Sequence, residues 1–210
     1  MTLSRPIPTG LHRHQPSPAP ESPPAVDVLG VPLALTDYTS TMDWMDAAVE
    51  HRERGYICVA ATHTVMVCRE DPELRDAVLN ASLTLPDGMP LVWAMNALGA
   101  DLTHRVYGPE LMARYCERSV DTGVSMYLYG GRNQGALVQL ALNLRRRYPG
   151  VRIVGGYSPP YRDLRAEEED AIAEEMNRSG ADVIWVGVGA PKQEKWMAAL
   201  RDRLDAPVLV

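Results

Sequence analysis

Apolar positions follow two alternating rhythms along this chain. Short apolar runs recur as VLGVPLAL, YICVAA, SLTL, SMYLY, VRIVGG, DVIWVGVG and APVLV. Each is four to eight residues long and rich in β-branched or aromatic side chains, the mark of buried strands; the first, interrupted by glycine and proline, reads as a strand or hairpin. Between them the apolar residues return every three to four positions. The spacing predicts a helix from about 40 to 54 with Trp44, Met45, Ala48 and Val49 on one face, and short helices over 63–70 and 72–81. Residues 90–98 are apolar all round, which predicts a buried helix.

The second half continues the alternation. Gly108-Pro109-Glu110 opens a helix with proline in its first turn, and Leu111, Met112, Tyr115 and Cys116 share its apolar face. Asn133 is placed to cap a helix whose stripe is Leu137, Leu140, Ala141 and Leu144. Glu167, Glu168 and Glu169 crowd the first turn of the next helix, where the helix dipole favours negative charge, and Gly180 offers it a left-handed stop. Pro191 starts a last helix. Strands alternating with helices, with no internal repeat, predict an α/β fold: a Rossmann-like parallel sheet with helices on both faces in one domain, residues 26–210. The first 25 residues differ. They are rich in proline and poor in large apolar groups, so a disordered or polyproline-type tail is expected, with a proline-motif docking segment as the alternative. APVLV reads as a core strand with nothing after it. The chain is therefore expected to be a piece of a longer one, truncated at Val210.

Composition narrows the function. With 46% hydrophobic and 23% charged residues, the 210-residue chain is an ordinary globular sequence, and its net charge of -6 argues against a partner such as nucleic acid. Cys58, Cys68 and Cys116 show neither CxxC nor zinc-ligand spacing and read as reduced, buried thiols of a cytoplasmic protein. No apolar run is long enough to span a bilayer, and the N-terminus lacks the apolar core of a signal peptide. The five histidines, His12, His14, His51, His63 and His104, form no cluster.

In open parallel sheets ligands bind outside the carboxyl ends of the strands. Three such ends carry unusual residues. LPDGMP puts Asp87 before a glycine, where a carboxylate can point into a cleft or simply make a turn. YLYGGRNQG puts Gly130 and Gly131 between a strand and a helix N-terminus, which suits a phosphate as well as a plain turn, and it is not the G-x-G-x-x-G dinucleotide fingerprint. VGVGAPKQE puts Gly189, Lys192, Gln193 and Glu194 around a third strand end. A lysine there opposes the helix dipole, and a glutamine amide can read a base edge; a solvated polar first turn fits equally. Together these ends favour a nucleotide-type ligand.

LPDGMPLVWA, RVYGPELM, YLYGG and VGVGAPKQE, in that order, resemble the WecG/TagA/CpsF glycosyltransferases, glycosyltransferase family 26, over about Val28 to Val210. The resemblance implies an inverting transfer of an N-acetylmannosamine-type or related hexose from a UDP-sugar to a sugar on polyprenyl diphosphate, in cell-surface polysaccharide or glycolipid synthesis. It implies that Asp87 is the general base, that Arg105 is the arginine ahead of the V-x-G turn, and that Gln193 is the glutamine of the P-K-Q-E motif. No DxD pair stands at a strand end, so neither a metal nor another cofactor is expected. Arg105 and helix N-termini can stabilise the leaving UDP instead.

Two departures stand out. Relatives often carry an asparagine where alignment on Thr64-Val65-Met66 places Ala61, so a substrate contact is expected to be lost or moved to Thr62 or His63. The family's basic C-terminal segment, which helps close the site and touches the membrane, would lie beyond Val210. The expected location is the cytoplasm, with peripheral contact at the inner face of the plasma membrane, and a homo-oligomer is compatible with the sequence. The alternative is a catalytically impaired nucleotide-sugar-binding or scaffold protein of the same fold.

Overall fold

The computed structural model describes residues 21–210. Most of the segment expected to be a tail lies outside the described residues, and Ala25 already belongs to a strand. β1 (Ala25–Val28) and β2 (Val31–Ala34) form an antiparallel hairpin. It turns at Leu29-Gly30, both at positive φ, and Asp27 Oδ1 accepts the Gly30 N–H. That backbone twist matches the twist of the flanking strands.

The body is a six-stranded sheet of β3 (Gly55–Ala60), β4 (Leu83–Pro86), β5 (Ser125–Gly130), β6 (Arg152–Tyr157), β7 (Val183–Gly187) and β8 (Val208–Leu209). Its order is β4-β3-β8-β7-β5-β6, and every pairing is parallel. Around it run α1 (Tyr38–His51), α2 (Thr62–Val67), α3 (Pro72–Leu79), α4 (Met89–Ala97), α5 (Gly108–Thr122), α6 (Gln134–Arg147), α7 (Ala166–Ser179) and α8 (Lys192–Leu200). The fold is α/β and Rossmann-like, as the alternation implies.

Strand pleating divides the interior into two cores. Tyr56, Cys58 and Ala60, Tyr127 and Tyr129, Ile184 and Val186, and Leu209 face one side, packed against α2, α3, α4, α7 and α8. Ile57, Met126 and Leu128, Val183 and Trp185, and Val208 and Val210 face the other, against α1, α5 and α6. Both faces being covered is why these strands read as continuous apolar runs. The three cysteines are buried and free.

Helix ends follow their local chemistry. Asp37, Asp71 and Asn133 each accept a backbone N–H three residues on, opening α1, α3 and α6. Gly123 and Gly180 close α5 and α7 in the left-handed conformation. One expectation needs correcting. α4 is not buried all round: Leu91, Val92 and Met95 pack inward, while Trp93 is 64% exposed and Leu98, just past its end, 61%. Its uniform hydrophobicity erased the polar stripe by which a sequence reveals an outward face. Among the described residues, no helix is long and apolar enough to cross a membrane.

β8 is only two residues long, yet it joins the two halves of the sheet. Its approach is held by Arg201, which is buried in a short 3-10 turn after α8. One guanidinium nitrogen donates to the carbonyls of Gly55 (2.8 Å) and Pro207 (3.3 Å). The other donates to Leu204 and Ala206. A single cation thus satisfies four carbonyls around the starts of β3 and β8. Burial, and secondarily Arg54, push its pKa down to about 10, so it keeps its proton at neutral pH. Arg201→Met is expected to lower stability by about 2–4 kcal/mol, because buried carbonyls lose their donors. Urea denaturation checks this, and Arg201→Lys should recover only part of the loss, since an ammonium cannot match the planar fork.

Candidate functional site

Because all six strands are parallel, their carboxyl ends lie on one edge. There a cavity of about 640 Å³ opens, with Asp87, Gly130, Gly131, Gly187 and Gln193 among its lining. Asp87, Gly130, Gly131 and Gln193, each flagged at a strand end though far apart in sequence, meet in one concavity.

Asp87 follows β4 directly. Its backbone N–H donates to Ala60 O at 2.9 Å, and Val106 N–H donates to Pro86 O at 2.9 Å, so the turn is pinned from both sides. The side chain is half-buried, and its Oδ1 is buried with no hydrogen-bond partner. Burial raises the pKa of this carboxyl, and the nearby Arg105 guanidinium partly offsets the rise. Arg105 is exposed, donates to the Asp87 backbone carbonyl at 3.3 Å, and lies over the Tyr107 ring at 4.7 Å. Arg105 therefore stands next to Asp87, outside the cavity lining, without ion-pairing to it.

The floor of the site is a close backbone approach. A Cβ on Gly130 would stand 2.2 Å from Gly187 O, and Gly130 has φ +130. Only glycine lets β5 and β7 come this near at their ends. Gly131 N–H donates to Gly187 O at 3.1 Å, so this amide closes the turn between the strands rather than facing outward. The start of α6 lies just beyond, and Gln134 reaches across to Gly156 O and Ser158 N.

The third turn divides its residues. Gln193 lines the cavity, with Oε1 accepting from Gly189 N–H at 3.2 Å and Nε2 donating to Glu194 Oε1 at 3.3 Å. Glu194 is wholly buried, and burial raises its pKa. Lys192 is exposed and stands outside the lining. So do Thr62 and His63, both exposed at the start of α2. Thr62 is nonetheless close to the Asp87 turn: its Oγ1 is 3.7 Å from where a Gly88 Cβ would be.

Sequence reasoning missed the apolar wall. Met112 and Ala113 of α5, Leu140 and Leu144 of α6, Trp185 and Val210 carry the cavity down the sheet face. Leu140 belongs to a stripe that reads as core, but it is 41% exposed, because α5 and α6 stand apart there. No periodicity distinguishes a leucine facing a cavity from one facing a core. Among the described residues, no group of three His, Cys, Asp or Glu side chains could hold a metal ion.

A family model described as "Glycosyl transferase WecG/TagA/CpsF family" matches residues 26–210. Among curated proteins, the chain is similar to the N-acetylglucosaminyldiphosphoundecaprenol N-acetyl-beta-D-mannosaminyltransferase of Staphylococcus aureus (strain MRSA252). It is 25% identical over 196 residues, covering 88% of this chain and 71% of that protein. The protein of the same description from Bacillus spizizenii is 21% identical over 176 residues, covering 83% of this chain and 66% of the relative.

The strand-end geometry carries its own test. Gly130→Ala is expected to cost at least about 2 kcal/mol, from both the contact with Gly187 O and the φ no L-residue favours. Gly131→Ala should cost only about 1–2 kcal/mol, because its φ is +84 but its Cβ would meet nothing nearer than 3.7 Å. Urea midpoints of the two variants compare them directly.

Proposed function

The chain belongs to the WecG/TagA/CpsF glycosyltransferase family, and from that premise we propose that it transfers an N-acetylmannosamine-type or related hexose from a UDP-sugar to a sugar on polyprenyl diphosphate, with inversion and without a metal ion. The two relatives' names supply the acceptor class and the sugar. The observation that carries the reading is the half-buried Asp87 carboxyl, with one oxygen free of partners, in one cavity with the Gly130-Gly131 turn, Gly187 and Gln193.

The chemistry asks for one base. The acceptor hydroxyl attacks the anomeric carbon from the face opposite the leaving group, Asp87 takes its proton, and the bond to the diphosphate oxygen breaks. A base is most useful when its pKa approaches the working pH, and burial moves Asp87 that way. Negative charge grows on the departing UDP. Arg105, next to Asp87, and the amino terminus of α6 are assigned to meet it. Gln193 is assigned to the nucleotide. Thr62, beside Gly88, is assigned to substrate together with His63, where Ala61 offers no polar atom. Transfer takes place at a membrane surface, as a lipid-linked acceptor requires, and on the cytoplasmic face, where a UDP-sugar donor is available, in cell-surface polysaccharide synthesis.

Ala61 also favours the second reading, a nucleotide-sugar-binding protein with impaired transfer. UDP release on incubation with donor and prenyl-diphosphate acceptor separates the two. In that assay Asp87→Asn is expected to cut turnover at least about 100-fold while UDP affinity holds. Near-normal turnover in the variant would overturn the assignment.

The raised pKa fixes the sign of two further outcomes. A carboxyl whose folded pKa lies above its unfolded value binds more protons in the folded state, so its stability contribution is lost as pH rises through that window. Asp87→Asn should therefore melt no lower than wild type at pH 7, with any gain vanishing below the ordinary carboxylate range. The acidic limb of the turnover profile should stand above that range. Activity should also survive EDTA; loss on chelation restored by Mg²⁺ or Mn²⁺ would refute the metal-free reading.

A further inference from the structure

Among the described residues, Glu194 is the one fully buried carboxyl side chain; it makes no ion pair, and it sits directly behind the cavity wall. It is 0% exposed, in the first turn of α8. Its Oε2 is buried with no partner. Its surroundings include the buried thiols of Cys58 on β3 and Cys68 after α2, whose own pKa values its charge helps to raise. Such a group opposes stability, since a buried polar atom without a partner is costlier than an apolar replacement. Packing alone would favour a methionine there.

What the carboxyl does is visible at its other oxygen. Oε1 accepts from Gln193 Nε2 at 3.3 Å, while Gln193 Oε1 accepts from Gly189 N–H at 3.2 Å. A glutamine amide is nearly symmetric in shape but not in chemistry, and unrestrained it presents either order of donor and acceptor. Here both ends are fixed. A backbone N–H can only donate, so the amide oxygen must face Gly189. The Glu194 oxygen accepts, so the amide nitrogen must face Glu194. One N–H and one lone pair of Gln193 remain, and Gln193 lines the cavity.

We propose that Glu194 is a positioning residue that locks the Gln193 amide in one orientation, so that it offers the nucleotide a donor and an acceptor in a fixed order. This rests on the reading that Gln193 contacts the UDP-sugar. It also reassigns Glu194, which lies outside the cavity lining and acts through its neighbour. The arrangement trades stability for order: the Gly189 N–H holds one end of the amide, and the buried acid holds the other, so that turning over would cost both hydrogen bonds.

The experiment measures UDP affinity by calorimetry and melting temperature for the full chain and four variants. Gln193→Ala is expected to weaken UDP about tenfold or more. Glu194→Met should weaken it to a similar degree while melting at or above wild type, a combination that a merely structural role would not give. Glu194→Gln, whose side-chain oxygen still accepts from Gln193, should stay within about threefold of wild type. The double variant Gln193→Ala with Glu194→Met should bind no more weakly than Gln193→Ala alone. Should methionine not be accommodated, Glu194→Leu replaces it. Wild-type affinity in Glu194→Met beside a loss in Gln193→Ala overturns the positioning role and leaves the donor-site reading standing. Unchanged affinity in Gln193→Ala overturns that reading, and the positioning role falls with it.

Discussion

Six strands that all point the same way can release their chain only at one edge, and this constraint organises the rest of the molecule. The turns after β5 and β7 leave the sheet side by side, and the turn after β4 leaves the same edge with β3 and β8 between, though the sequence separates all three widely. Whatever those turns carry is brought together without any further device. The glycines then set how closely the strand ends converge. Gly130 lies against the Gly187 carbonyl, leaving room above for a cavity whose rim is polar and whose wall is apolar.

The sheet has a division of labour between its two edges. At the amino edge a buried cation, Arg201, binds four carbonyls and fastens β8 beside β3. At the carboxyl edge two acidic groups, Asp87 and Glu194, each have a buried oxygen with no partner. The first arrangement leaves the Arg201 Nε unpaired but satisfies four buried carbonyls, and it stabilises. The second leaves polar groups unsatisfied, which costs stability and leaves capacity for a ligand or for orienting a neighbour. Local rules are obeyed where the fold is held and broken where chemistry is proposed.

Much of this was legible in the chain. Strands buried on both faces announce themselves as apolar runs, and caps such as Asn133 and Gly180 mark helix ends by local hydrogen bonding alone. Asp87, Gly130, Gly131 and Gln193 could be flagged because a strand end followed by glycine or a polar turn is a local pattern. What stayed hidden depends on neighbours distant in sequence. The exposure of Trp93 follows from how α4 lies on the hairpin, and the burial of Glu194 from what α2 and β3 place above it. That Gly131 turns its N–H to Gly187 is a contact between two strand ends, invisible to either segment alone. The family resemblance named Asp87 as a base; only the coordinates show that its environment would raise its pKa.

β8 is the latest of the six strands in sequence and sits third in the sheet, between β3 and β7. As the chain emerges from a ribosome, β3 and β4 appear with α1 to α4, and later β5, β6 and β7 with α5 to α7. Each group leaves an open strand edge where β8 belongs. Gly55 must wait for Val208. Until then β3 and β7 present unpaired backbone, the kind of edge that captures another nascent copy. Until β8 is made the sheet is two halves without a seam, and each half carries an edge that invites pairing.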